Sequence, residues 1–122
     1  MPYAYRKSER IRKNSEFVAT MKGKRLSVDG LSLFYTASDK GNFRVGISVG
    51  KKLGNAVTRN RLRRQIRACV MKMLRDRTRG FDLVFVARRE LIDAGHERIM
   101  KAVETVLQRT VLRDRKPEST GP

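Results

Sequence analysis

The sequence predicts an α+β domain built round one small sheet. Two short segments, Leu31 to Ala37 and Phe43 to Val49, alternate apolar and polar residues, the period of a half-buried strand. A third, Phe81 to Ala87, is almost continuously apolar and fits a central strand covered on both faces. Two longer segments, one on either side of that strand, repeat apolar residues at helical spacing.

Taken in order, residues 1 to 13 form a basic arm ending in Arg10-Ile11-Arg12-Lys13. Asn14 is a good helix cap, and Ser15 to Lys22 is a short helix closed by Gly23. Phe17 and Met21 lie four residues apart and share a face of it. Asp29-Gly30 marks a turn. In the first strand Leu31, Leu33, Tyr35 and Ala37 face one way, and Ser32, Phe34 and Thr36 the other. Asp39-Lys40-Gly41-Asn42 is a second turn signal, so a hairpin between the two alternating strands is the simplest pairing. Gly50-Lys51-Lys52-Leu53-Gly54 is a loop. Asn55 caps a long helix from about Ala56 to Arg75, with Leu62, Ile66, Cys69, Val70 and Met73 as its apolar stripe. This helix connects Val49 to Phe81, so those two strands run parallel if they are neighbours. A last helix spans roughly Glu97 to Leu112 and buries Ile99, Val103, Val106, Leu107 and Val111. Residues 113 to 122 are polar, contain two prolines, and are predicted to be a disordered tail.

With 122 residues the chain fits one domain. Lys plus Arg number 29 against 12 Asp plus Glu, a formal net charge of +17. A balance of that size is the electrostatic footprint of a nucleic-acid binder. The charge is also segregated. Between Lys40 and Arg75 there is no acidic residue, and eleven basic ones fall in that stretch. A surface charged only for solubility would intersperse both signs.

At about 100° per residue, Arg59, Arg63 and Arg67 form a ridge along one flank of the long helix's apolar stripe. Asn60 and Arg64 lie one step further round, and Arg61 projects from the opposite flank. Arginine suits such a front because its planar fork grips phosphate oxygens in two places and stays charged. Asn60 can donate and accept at a base edge or a 2′-hydroxyl. Lys51 and Lys52 sit beside the free N–H groups of the helix start, where an anion is favoured. Phe17 and Tyr35 line one groove for a stacked single strand if the short helix lies across the sheet; by spacing alone the core suits each of them better.

Nothing in the sequence assembles a protein catalyst. His96 is the only histidine and Cys69 the only cysteine, so neither a Cys/His metal cluster nor an intrachain disulfide is available. The lone cysteine suits a reducing compartment. No apolar run approaches the ~20 residues of a membrane span, and the basic N-terminus leads into no signal core. A cytoplasmic protein is the expectation, with no obligate protein partner evident.

From Gly46 the sequence runs Ile47-Ser48-Val49-Gly50-Lys51-Lys52-Leu53-Gly54-Asn55-Ala56-Val57-Thr58-Arg59-Asn60-Arg61-Leu62-Arg63-Arg64-Gln65-Ile66-Arg67. This run resembles the signature of the bacterial ribonuclease P protein component, with its Lys-Lys, Gly-Asn-Ala and Arg-Asn-Arg elements in order. Arg10 to Phe17 upstream and Asp82 to Arg88 downstream extend the resemblance over about residues 6 to 112. It implies the small subunit of a ribonucleoprotein endonuclease whose RNA subunit is catalytic, uses Mg2+, and removes the 5′ leader from precursor tRNA. It implies that Lys51, Lys52, Asn55, Arg59, Asn60, Arg61, Arg63, Arg64 and Arg67 contact RNA, chiefly the catalytic RNA. Phe17, Met21, Tyr35 and Arg67 are implied to line a cleft for the single-stranded leader. The family usually has an aromatic where this chain has Met21, so stacking there is expected to be weaker. The implied fold is a two-layer sandwich of order αβββαβα with a mixed sheet, a further short strand near Leu26 to Val28, and a left-handed β-α-β crossover, against the usual hand of such units. A non-catalytic RNA-binding or ribosomal protein is the alternative. An autonomous protein nuclease is disfavoured, because no metal or base cluster is available.

Overall fold

The computed structural model describes residues 10–11, 13–38, 42–74 and 80–112. Most of the basic arm, and the whole tail predicted to be disordered, lie outside the described residues. The elements run α1 (Asn14–Met21), β1 (Lys24–Val28), β2 (Leu31–Ala37), β3 (Phe43–Val49), α2 (Ala56–Leu74), β4 (Phe81–Ala87) and α3 (His96–Gln108). This is the αβββαβα order, with one mixed sheet in the strand order β1-β2-β4-β3.

The tight hairpin forms at the first turn signal, not between the two alternating strands as expected. β1 and β2 pair antiparallel across Asp29-Gly30, whose φ angles of 49° and 85° are those of a two-residue turn that matches strand twist. β2 and β3 do not pair, because β4 lies between them, antiparallel to β2 and parallel to β3. The composition of β4 explains the outcome. Leu83, Val84 and Phe85 have no exposed surface, and an unbroken apolar run is satisfied only with a neighbour on each edge and cover on each face. The parallel pairing expected from the helical connection is present. α1 also starts differently: Lys13 is the cap residue, no side chain caps the helix, and Asn14 is its first residue.

The ladder registers sort the side chains into two faces. Leu31, Leu33, Val45, Val49, Leu83 and Phe85 share one face and form the core with Leu62, Ile66 and Val70 of α2 and Ile99, Val103 and Val106 of α3. The opposite face carries Ser32, Phe34, Arg44, Gly46, Ser48, Asp82 and Val84, and part of it is covered by α1. There the Phe17 ring lies over Gly46 so closely that a Cβ would come within 2.6 Å of its Cζ. Before α1, the Ile11 N–H donates to the Val45 carbonyl at 3.1 Å, so the end of the basic arm lies along the outer edge of β3.

What fastens α1 to this face is ionic. Arg44 on β3 is the ladder partner of Asp82 on β4. Its Nε and Nη2 donate to the two Asp82 oxygens at 2.9 and 2.7 Å. Its remaining terminal nitrogen, Nη1, donates to Glu16 Oε2 of α1 at 3.0 Å. The Arg44 side chain is only 13% exposed and that of Asp82 12%. Donating hydrogen bonds to Asp82, and then to Glu16, raises the Arg44 pKa, and the Arg44 hydrogen bond holds the Glu16 carboxyl below its ordinary value.

Replacing Arg44 with Met leaves Asp82 buried and unpaired, a change that typically costs ~3–5 kcal/mol; a urea melt of Arg44→Met against the native chain measures it. The Glu16 pKa is lowered on folding, so its share of stability is complete above its ordinary value of 4.5 and is lost as pH falls through the folded value. In unfolding midpoints taken between about pH 6 and 3, Glu16→Gln is therefore expected to flatten part of the native chain's acid-side decline.

Candidate nucleic-acid interface

The loop that feeds α2 is ordered by its own hydrogen bonds. Lys51–Leu53 forms a single 3-10 turn. The Asn55 Oδ1 accepts the Thr58 N–H at 2.9 Å, capping α2 as its sequence position predicts. The Arg59 Nε donates to the Gly54 carbonyl at 3.1 Å, which ties the helix back to the loop. Lys51, Lys52 and Asn55 are all exposed.

α2 then presents its charge in two tiers. Arg59, Arg63 and Arg67 are half-buried along the edge of the stripe formed by Leu62, Ile66, Cys69, Val70 and Leu74, whereas Asn60, Arg61 and Arg64 are exposed. The Arg63 guanidinium donates to the Asn60 carboxamide oxygen. Apart from its last turn, where Leu74 replaces Met73 among the buried residues, the stripe matches its predicted positions. With its back in the core, the helix holds the cationic front rigidly, an arrangement suited to matching a fixed array of phosphates.

The residues assigned to the leader cleft do not share one surface. Phe17 and Met21 are on α1, over the face opposite the core. Tyr35 alternates with Phe34 and packs at the margin of the core, its ring centroid 6.5 Å from that of Phe81. Arg67 is on α2, which packs against the core face. Tyr35 does reach solvent at the end of the sheet. There it lines a depression of about 410 Å³ with Lys22, Gly23, Lys24, Thr36, Ala37 and Phe81, immediately past the C-terminus of α1. Met21, the residue before Lys22, is exposed.

At the other end of the sheet lies a basic depression of about 540 Å³, lined by Ser48, Gly50, Lys51, Lys52, Leu53, Val86, Ala87 and Arg88. Arg88 is exposed, and its Nε donates to the Ser32 Oγ at 3.3 Å. Sequence reasoning left Arg88, Lys22 and Lys24 out of the site. The signal for Arg88 was available: a charged pair directly after a central strand must emerge at the same end as the loop following its parallel neighbour. For Lys22 and Lys24, only the fold brings the end of α1 to Tyr35.

Cys69 and His96 are the other reactive side chains that the sequence singles out. Cys69 is buried, and burial pushes its thiol pKa up, which disfavours the nucleophilic thiolate. His96 is an exposed first residue of α3. Among the described residues no three His, Cys, Asp or Glu side chains converge. No helix among them is long and apolar enough to cross a membrane.

A small mixed α+β sheet backing an acid-free cationic helix defines the class: a basic domain with the footprint of a nucleic-acid binder. The chain belongs to the ribonuclease P protein family, whose model matches residues 5–111. It is 36% identical over 117 residues to the ribonuclease P protein component of Brevibacillus brevis, covering 94% of this chain and 93% of that protein. The Bacillus cereus protein component is 33% identical over 107 residues, covering 86% and 93%. Among solved structures, the Staphylococcus aureus ribonuclease P protein superposes with a TM-score of 0.75 at 33% identity, covering 82% of this chain and 93% of that one. The Thermotoga maritima protein gives 0.75 at 26% identity, covering 83% and 96%.

Because the Asn55 side chain holds the start of α2, Asn55→Ala is expected to lower stability by ~1 kcal/mol, while Asn55→Asp, which keeps the cap, stays within a few tenths. Thermal unfolding of the two variants beside the native chain checks this.

Proposed function

We propose that the chain is the protein subunit of ribonuclease P, and that it binds both the catalytic RNA and the 5′ leader of precursor tRNA. The observation that carries this reading is the outward tier of α2: exposed Asn60, Arg61 and Arg64, next to Lys51 and Lys52, in a family-matched stretch without an acidic residue. These groups suit the backbone and 2′-hydroxyls of the RNA subunit, and the half-buried Arg59, Arg63 and Arg67 add to the field from behind. Asn55 acts mainly by setting the helix start.

The leader takes a different path. Bases pass Phe17 and Met21 on α1, then follow Lys22 and Lys24 round the end of the sheet to the depression beside Tyr35. The ring contributes stacking, and the two lysines attract phosphates. In this arrangement Arg67 serves the RNA subunit rather than the leader. The protein holds the leader and screens phosphate repulsion, while bond cleavage and the Mg2+ belong to the RNA. No step is assigned to a protein side chain.

The test pairs the chain with its RNA subunit and precursor tRNA at low magnesium. Leader cleavage is expected to rise above that of RNA alone, and the assembled complex is expected to prefer tRNA that carries a leader over mature tRNA. Equal affinity for the two would reduce the chain to a general RNA-binding protein. Arg64→Ala is expected to weaken assembly with the RNA subunit and to lower the salt dependence of binding by about 0.7–0.9 in log–log slope. Tyr35→Ala is expected to leave assembly intact and to erode the preference for the leader.

A further inference from the structure

Three large apolar side chains are exposed among the described residues: Val18, Met21 and Val57. The first two lie on α1, along the proposed leader path. Val57 lies elsewhere and is the most exposed of the three, at 65%. It occupies the first turn of α2, and at about 100° per residue its direction falls among those of Asn60, Arg61 and Arg64, which stand three, four and seven positions on and are all exposed. An exposed valine on a helix gains nothing from intrinsic propensity, where it ranks below most straight-chain residues. Nor can it hold a phosphate. An exposed apolar residue flanked by amide and guanidinium groups fits an interface with a dry middle and a polar rim.

We propose that Val57 is an apolar anchor for the catalytic RNA subunit, seated on the ribose face of a shallow minor groove while Asn60, Arg61 and Arg64 hold the flanking phosphates and 2′-hydroxyls. An A-form minor groove is wide and shallow and displays sugar edges beside 2′-hydroxyls, so it presents both the apolar and the polar partner this patch requires. Charge selects RNA as the occupant, because a protein partner would have to supply every anion around the valine. This role rests on the assembly with the catalytic RNA proposed above. It divides that surface into groups that act through charge and one that acts through excluded water.

Charge and burial respond differently to salt, which makes the division measurable. Binding of the RNA subunit by the full chain is followed across a salt series for the native protein, Val57→Ser, Val57→Ile, Val57→Lys and Arg64→Ala. Val57→Ser is expected to bind about tenfold more weakly, the scale of one buried valine, by the same factor at every salt concentration and with an unchanged slope. Val57→Ile is expected to retain native affinity, and Val57→Lys to bind more weakly than native despite its added charge. Arg64→Ala changes the slope. Serine and valine have similar helix propensities, so the unfolding midpoint of Val57→Ser is expected to match the native one, separating lost docking from lost fold. Native-like binding by Val57→Ser, or tighter binding by Val57→Lys, would overturn the proposal. A defect confined to precursor tRNA binding by the assembled complex would overturn it too, by placing Val57 on the substrate. A native chain that fails to bind the RNA subunit sinks the parent assignment before any variant is read.

Discussion

The Arg44 ion pair with Asp82 and Glu16 is the interaction on which the rest of the arrangement depends. It joins the parallel partners β3 and β4 side by side and pins α1 across them. Both oxygens of Asp82 and all the bonded nitrogens of Arg44 find partners, the condition under which a desolvated charge pair is tolerated. Phe17 and Met21 have a fixed position only because α1 does. Gly46 works to the same end, since only a residue without a side chain lets the Phe17 ring settle onto the sheet.

One consequence is that the cationic stretch is not functionally uniform. Arg44 belongs to it by sequence but spends its charge internally, and Arg59 is turned partly toward its own loop. What remains for an outside anion is a narrower set, carried on the rigid outer side of α2 and on the turn before it. A helix whose back is fixed in a core presents such groups at constant spacing, which favours a structured RNA over a flexible polyanion.

The long elements were legible in the sequence because their periodicity is strong. The buried stripes of α2 and α3, the Asn55 cap and the central character of β4 all follow from local pattern. The strand neighbours did not, because local rules reward a hairpin between sequence neighbours, and nothing near residues 31–49 announces that β4 will enter between them. β1 carries only Leu26 and Val28 as apolar residues in five positions, as suits an edge strand, and was expected only from the family resemblance. The role of Arg44 was hidden for a similar reason: its partners lie 28 and 38 residues away, so an acid-free window looked unpaired when it was not. Spacing alone suggested the core for Phe17 and Tyr35, whereas the structure leaves both half-buried, and which face each occupies depends on pairing that the sequence does not display.

The central place of β4 also governs when the molecule can become itself. Until Phe81 to Ala87 is available, the chain has a β1–β2 hairpin, a separate β3 and an amphipathic α2 with no complete sheet to lie on. Contacts of long sequence separation must close before the interior does, a topology that slows folding relative to local pairing. During synthesis, the cationic helix therefore emerges before the strand that completes its support. Its finished geometry is a late event, reached only after Phe81–Ala87 has followed it off the ribosome.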